Sequence, residues 1–94
     1  MEIDLLEWDD ANMEHIALHG VNPEEVWDIC SGHHLAVKQA NGRYILSGQT
    51  SSGRYLNVVV QHLVAVSFRP VTAFDMSDSQ KRSFRKRFQN RGSL

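Results

Sequence analysis

At 94 residues, 41% apolar and 22% charged, the chain has the composition of one compact soluble domain, residues 1–94, with a single modest core, and its length reads as that one domain. No run approaches the roughly 20 apolar residues of a membrane span and no basic start leads into an apolar signal stretch, so the sequence reads as cytoplasmic and membrane-free. A net charge of −1 and a pI near 6.5 fall well short of the roughly 9 of a dedicated nucleic-acid binder.

In chain order, Ile3, Leu5 and Leu6 alternate with charged residues and predict an edge strand from Glu2 to Trp8. Asp9 or Asp10 then caps a helix to His19, with Met13, Ile16 and Ala17 on one face and Gly20 at its end. Asn22-Pro23-Glu24-Glu25 is a helix start in every position: Asn caps, Pro opens the first turn, and Glu25 stands where a capping box closes. Val26, Trp27, Ile29 and Cys30 form the buried side of that helix, and Ser31-Gly32 ends it. Strands over 34–39 and 43–48 follow, joined through Ala40-Asn41-Gly42, where Asn-Gly is a strong hairpin signal. After the Gln49–Gly53 turn comes a strand from Tyr55 to Val60 with Leu56, Val58 and Val60 on one face, then a reversal near Gln61-His62. The last strand runs from Leu63 to Ala73, with a bulge or an edge at Pro70, which has no N–H for a ladder. Ser77-x-x-Gln80 caps a final helix to about Asn90, whose apolar stripe is thin: Phe84 and Phe88, with Met76 just ahead of the cap.

The charge is segregated along the chain. Residues 1–30 hold nine acids and no Lys or Arg, whereas residues 81–91 hold six cations and no acid, so the molecule can offer a basic face to an anionic partner. Cys30 cannot form an internal disulfide and reads as a buried helix residue. His33 and His34 open a strand and point to opposite faces, so joint metal ligation is not expected. Trp8 and Trp27 read as core or interface aromatics.

The series Trp8-Asp9, Asn12, His15-Ile16, His19-Gly20-Val21, Pro23-Glu24-Glu25, Arg43-Tyr44, Gly48-Gln49-Thr50, Gly53-Arg54-Tyr55-Leu56, Arg69, Thr72-Ala73 and Asp75-Met76 resembles the BrnT-type toxin family over about residues 3 to 88. The resemblance implies an α+β, RelE-like fold, with two N-terminal helices and a C-terminal helix packed on an antiparallel β-sheet. It also implies the toxin of a type II toxin–antitoxin system: a metal-independent endoribonuclease that cleaves mRNA, needs no cofactor and is silenced by a small DNA-binding antitoxin of the ribbon-helix-helix kind.

Such an enzyme must remove a 2′-hydroxyl proton, stabilise a five-coordinate phosphate and protonate the leaving 5′-oxygen. Histidine titrates near neutral pH, and arginine can hold two phosphate oxygens while keeping its charge. Within the resemblance His19 is the acid/base candidate, Arg54 and Arg69 are candidate phosphate clamps, and Lys81, Arg82 and Arg85 track the RNA backbone. Structural alternatives stay open: His19 could cap helix carbonyls, and Arg54 or Arg69 could pair with the N-terminal acids. The resemblance fails at Leu18 and Phe74, where the family pattern has cations. A second reading is therefore a non-catalytic interaction module of the same fold, and a homodimer is compatible with either.

Overall fold

The computed structural model describes residues 1–92, with side chains through Arg87. Its elements are β1 (Leu5–Leu6), α1 (Asp10–Leu18), α2 (Pro23–Ser31), β2 (His34–Lys38), a 3-10 turn (Ala40–Gly42), β3 (Arg43–Gln49), β4 (Tyr55–Val64), β5 (Ser67–Asp75) and α3 (Asp78–Gly92). The five strands form one sheet in the order β1-β5-β4-β3-β2. This is the expected α+β arrangement, with one difference: the sheet is mixed, because β1 lies parallel to β5 while all other pairs are antiparallel. β1 is also only two residues long. Its alternation extends from Glu2 to Trp8, but β5 supplies partners only at Ser67 and Phe68.

One face of the sheet carries the core. Leu46, Leu56, Val58, Val60, Phe68 and Ala73 alternate inward and meet Ile16 of α1 and Val26, Ile29 and Cys30 of α2. Each fully buried aliphatic side chain here contributes about 1.5–3 kcal/mol relative to exposure. α1 is held more thinly than its sequence suggests, since Ile16 is buried while Met13 and Ala17 face solvent. Trp27, expected on the buried side of α2, is 42% exposed: Val26, Ile29 and Cys30 already fill the contact with the sheet. Trp8 is partly buried against the core.

The helix starts are those the sequence spells. Asp9 accepts from the Asn12 N–H at 2.7 Å, and Asn22 and Glu25 form a reciprocal capping box, with bonds of 2.9 and 3.1 Å. In the β2–β3 turn Asn41 and Gly42 have φ of 60° and 77°, the left-handed pair that a tight hairpin demands. The next reversal falls later than the sequence suggests. β4 runs through Gln61-His62 to Val64, and the chain turns at Ala65, whose φ is 50°; His62 Nε2 and the Ala65 carbonyl oxygen lie 2.9 Å apart across that turn. Pro70 pairs with Val60 beside a register shift, as the bulge reading required, and beyond Phe68 the outer side of β5 has left β1 behind.

The opposite face is covered only in part. α3 sits on it through Phe84, whose ring meets Tyr55 edge-on at 5.8 Å, and through buried Met76. A polar chain completes the dock. Ser47 Oγ donates to Asn57 Oδ1 at 2.7 Å, Asn57 Nδ2 donates to Gln80 Oε1 at 3.2 Å, and the same Gln80 oxygen accepts the Ser77 N–H at 2.9 Å in the expected capping box. Phe88 lies outside the described side chains.

Candidate active site

Arg54 follows the Gln49–Gly53 turn, where Thr50 Oγ1 accepts its backbone N–H at 3.0 Å and Gly53 has a φ of 97°. The side chain reaches back over the α1–α2 junction. Nε donates to Asp75 Oδ1 at 3.0 Å and Nη2 to Asp75 Oδ2 at 3.2 Å, a bidentate fork. Nη1 donates to the Gly20 carbonyl at 2.7 Å and to the Glu25 carboxylate at 3.2 Å, and Nη2 also reaches the His19 carbonyl at 3.3 Å. The five N–H donors of a guanidinium are thus all engaged. Asp75 is held below the usual carboxylate range chiefly by its hydrogen bonds to Arg54, with Lys81 and His19 adding positive field, and Arg54 is raised chiefly by its hydrogen bonds to Asp75, with Glu25 adding to them.

This arginine therefore ties together four segments: the end of α1, the start of α2, the start of β4 and the end of β5. Gly20 makes the grip possible, because its φ of 68° turns the carbonyl towards the guanidinium. A phosphate reaching Arg54 must displace one of these bonds. The pairing with N-terminal acids, through Glu25, is the structural alternative left open in the sequence, with Asp75 as a second partner.

His19 is the C-cap of α1, with its own N–H bonded to the Ile16 carbonyl at 3.0 Å. Its exposed ring lies 6.3 Å from that of Phe74, at the open side of β5. Lys81 is 4.0 Å from Asp78 on the first turn of α3, Arg82 is exposed beside it, and the Arg85 guanidinium stands over the Tyr55 ring at 5.6 Å. His19, Arg54, Asp75 and the start of α3 thus share one end of the sheet.

Arg69 does not join them. It is six residues from Asp75 along β5, about 20 Å at roughly 3.3 Å per residue. Instead it occupies a row that sequence reasoning missed. Arg43, Gln61 and Arg69 are direct cross-strand partners on β3, β4 and β5, and Arg43 Nε donates to Gln61 Oε1 at 3.2 Å. Both arginines are exposed on the face that α3 covers in part, their Cα atoms about 10 Å apart at two strand spacings. Ile45, Val59 and Thr72 form the floor between this row and α3. Once Gln61 is placed in β4 rather than in a turn, the register produces the row; the reversal expected at Gln61-His62 hid it. His34, in contrast, is turned inward: Nδ1 lies 2.8 Å from the Ile29 carbonyl. Cys30 is buried, and burial pushes its thiol up to about 12.

No protein-family model and no curated protein matches the sequence. Among solved structures, the 1.1 Å crystal structure of the Brucella abortus ribonuclease toxin BrnT matches with a TM-score of 0.64, over 80% of this chain and 100% of that one, at 14% sequence identity. The chain has the BrnT fold. At this identity the likeness concerns architecture, three helices on a five-stranded mixed sheet. Among the described residues no helix is long and apolar enough to cross a membrane.

Proposed function

We propose that this chain is the toxin of a type II toxin–antitoxin pair, a cytoplasmic, metal-independent endoribonuclease held inactive by a small DNA-binding antitoxin. The observation that carries the reading is the BrnT fold, matched over the full length of a ribonuclease toxin. RNA lies across the half-open sheet face. Its phosphates meet Arg82 and Arg85 of α3 on one side and Arg69, with Arg43, on the other. Lys81 adds charge near the reacting end. His19, exposed at the α1 C-cap beside the β5 edge, exchanges the proton with the 2′-hydroxyl or the 5′-oxygen. Arg69 holds a phosphate several nucleotides from the one that reacts, given its distance from His19. Arg54 serves as a positioning residue, because its donors are spent on the His19 and Gly20 carbonyls and on two carboxylates.

One observation favours the second reading, a non-catalytic interaction module. With Arg54 saturated and with Leu18 and Phe74 in place of cations, the end of the sheet that carries His19 has little free positive charge for a phosphorane. Expression from a tightly repressed promoter decides between the two. The toxin reading expects growth arrest with fragmented mRNA, both abolished in His19→Ala at equal soluble level. Unimpeded growth with intact RNA leaves only the interaction module.

A further inference from the structure

We infer that the outer edge of β2, together with the groove between it and α3, takes an acidic extended segment of a partner protein as a sixth strand. β2 ends the sheet, and its register with β3 runs unbroken from His34↔Gly48 to Lys38↔Tyr44. The Gln39 N–H donates to the Arg43 carbonyl at 2.7 Å, which sets the phase of the ladder. Leu35 and Val37 bond inward to β3, and His34, Ala36 and Lys38 direct their N–H and C=O groups away from the sheet. Exposed edges are usually blunted by proline, a bulge or extreme shortness. β1, at the other end, has only two residues; β2 has five, with no proline and no bulge.

The surface beside this edge is built to receive side chains. Val37 is 56% exposed, and Leu35 and Ser47 floor a groove of about 280 Å³ under α3. Ser79, Ser83 and Arg87 recur every four residues along the helix face that looks into it. Two serines leave the space open, and the arginine adds a cation to its lining.

The chemistry of the occupant follows. Residues 31–74 hold no carboxylate, and Lys38, Arg43 and Arg87 lie at or near the edge, so the complementary segment is acidic. A second copy paired β2 to β2 brings no carboxylate to this edge, because its own β2 region has none. An RNA backbone matches it poorly, since its phosphates can accept from the outward N–H groups but are repelled by the carbonyls that alternate with them. An extended peptide answers both, with acidic side chains towards Lys38 on one face of the strand and apolar ones over Leu35 and Val37 on the other. This inference is independent of the ribonuclease reading.

The test uses the full chain, labelled with nitrogen-15, and a seven-residue synthetic peptide alternating valine and glutamate. Saturable shifts are expected at His34, Ala36 and Lys38, with amide exchange at these positions slowed at least tenfold. The same peptide with lysine for glutamate gives neither effect. Ala36→Pro, which removes the central outward N–H and spares the ladder to β3, lowers the affinity at least tenfold; should it fail to fold, Val37→Asp gives the same loss by setting a carboxylate under the valines. Shifts confined to another face, equal binding of the lysine peptide, undiminished affinity in the folded variants, self-association through β2, or a single-stranded RNA producing the same protection would each overturn the proposal. Growth and RNA integrity are not read here, so failure of the edge and failure of the toxin reading remain separable.

Discussion

Arg54 shows how much one side chain can hold. Its bond to Asp75 joins residues 21 apart and its bond to Glu25 residues 29 apart, so neither partner could be picked from eleven acids in the sequence. The side chain is 28% exposed, so the ion pairs are discounted for solvent, and Arg54→Ala is expected to cost about 2 kcal/mol, within the range for hydrogen bonds to charged groups. Urea titration measures it. Asp75 adds a pH signature. Its folded-state affinity for protons is lowered, so its contribution is fully present above the unfolded value of about 3.9 and is lost as pH falls through the lower folded value. Stability measured between pH 6 and pH 2 should therefore fall on the acid side, and Asp75→Asn should be less stable than the parent at pH 6 and lose part of that fall. Equal acid dependence in parent and variant would remove Asp75 from the account.

At the scale of elements, α3 depends on polar contacts more than on apolar ones, because Phe84 and Met76 are its buried anchors among the described side chains. Asn57 is 1% exposed and links Ser47 to Gln80, so Asn57→Ala leaves both without that partner. The expected loss is about 1–3 kcal/mol. Hydrogen exchange locates it: amides over 81–87 should speed up more than those of the central β3–β4 pair, and uniform acceleration would show that Asn57 supports the sheet alone. The elements also show what a sequence can carry. Helix starts were legible because a capping box is contained within four residues, as at Asn22–Glu25 and Ser77–Gln80. The Asn41-Gly42 turn was legible for the same reason. The turn at Ala65 was not, since it uses an alanine at positive φ with no Gly, Asn or Pro to announce it. That one displacement concealed the Arg43–Gln61–Arg69 row, whose members are brought together only by the register of three strands. His19 and Arg54 could be named as candidates, but the carbonyl grip between them depends on Gly20 placing the chain, which no local pattern encodes.

For the whole molecule, the separation of charge along the chain becomes a separation in space. The nine acids of residues 1–30 lie on α1, on α2 and on the segments either side of β1, and both helices pack on the core face, whereas the exposed cations of α3 and the Arg43–Arg69 row border the other. A pI near 6.5 therefore conceals a basic face. If single-stranded RNA lies there, its affinity must fall with salt by about 0.7 in the logarithmic slope for each phosphate neutralised. Arg82→Ala and Arg69→Ala, on opposite sides of the floor, should each flatten the slope by about that amount, and together by about twice as much. Fluorescence anisotropy of a labelled oligonucleotide between 50 and 300 mM salt, roughly the range over which such contacts are screened, measures all three. Arg54→Ala is the informative comparison: its donors are already engaged, so it should leave the slope unchanged while lowering stability. A slope reduced by Arg54→Ala and indifferent to Arg69→Ala would move the RNA from the open sheet face to the α1–α2 junction.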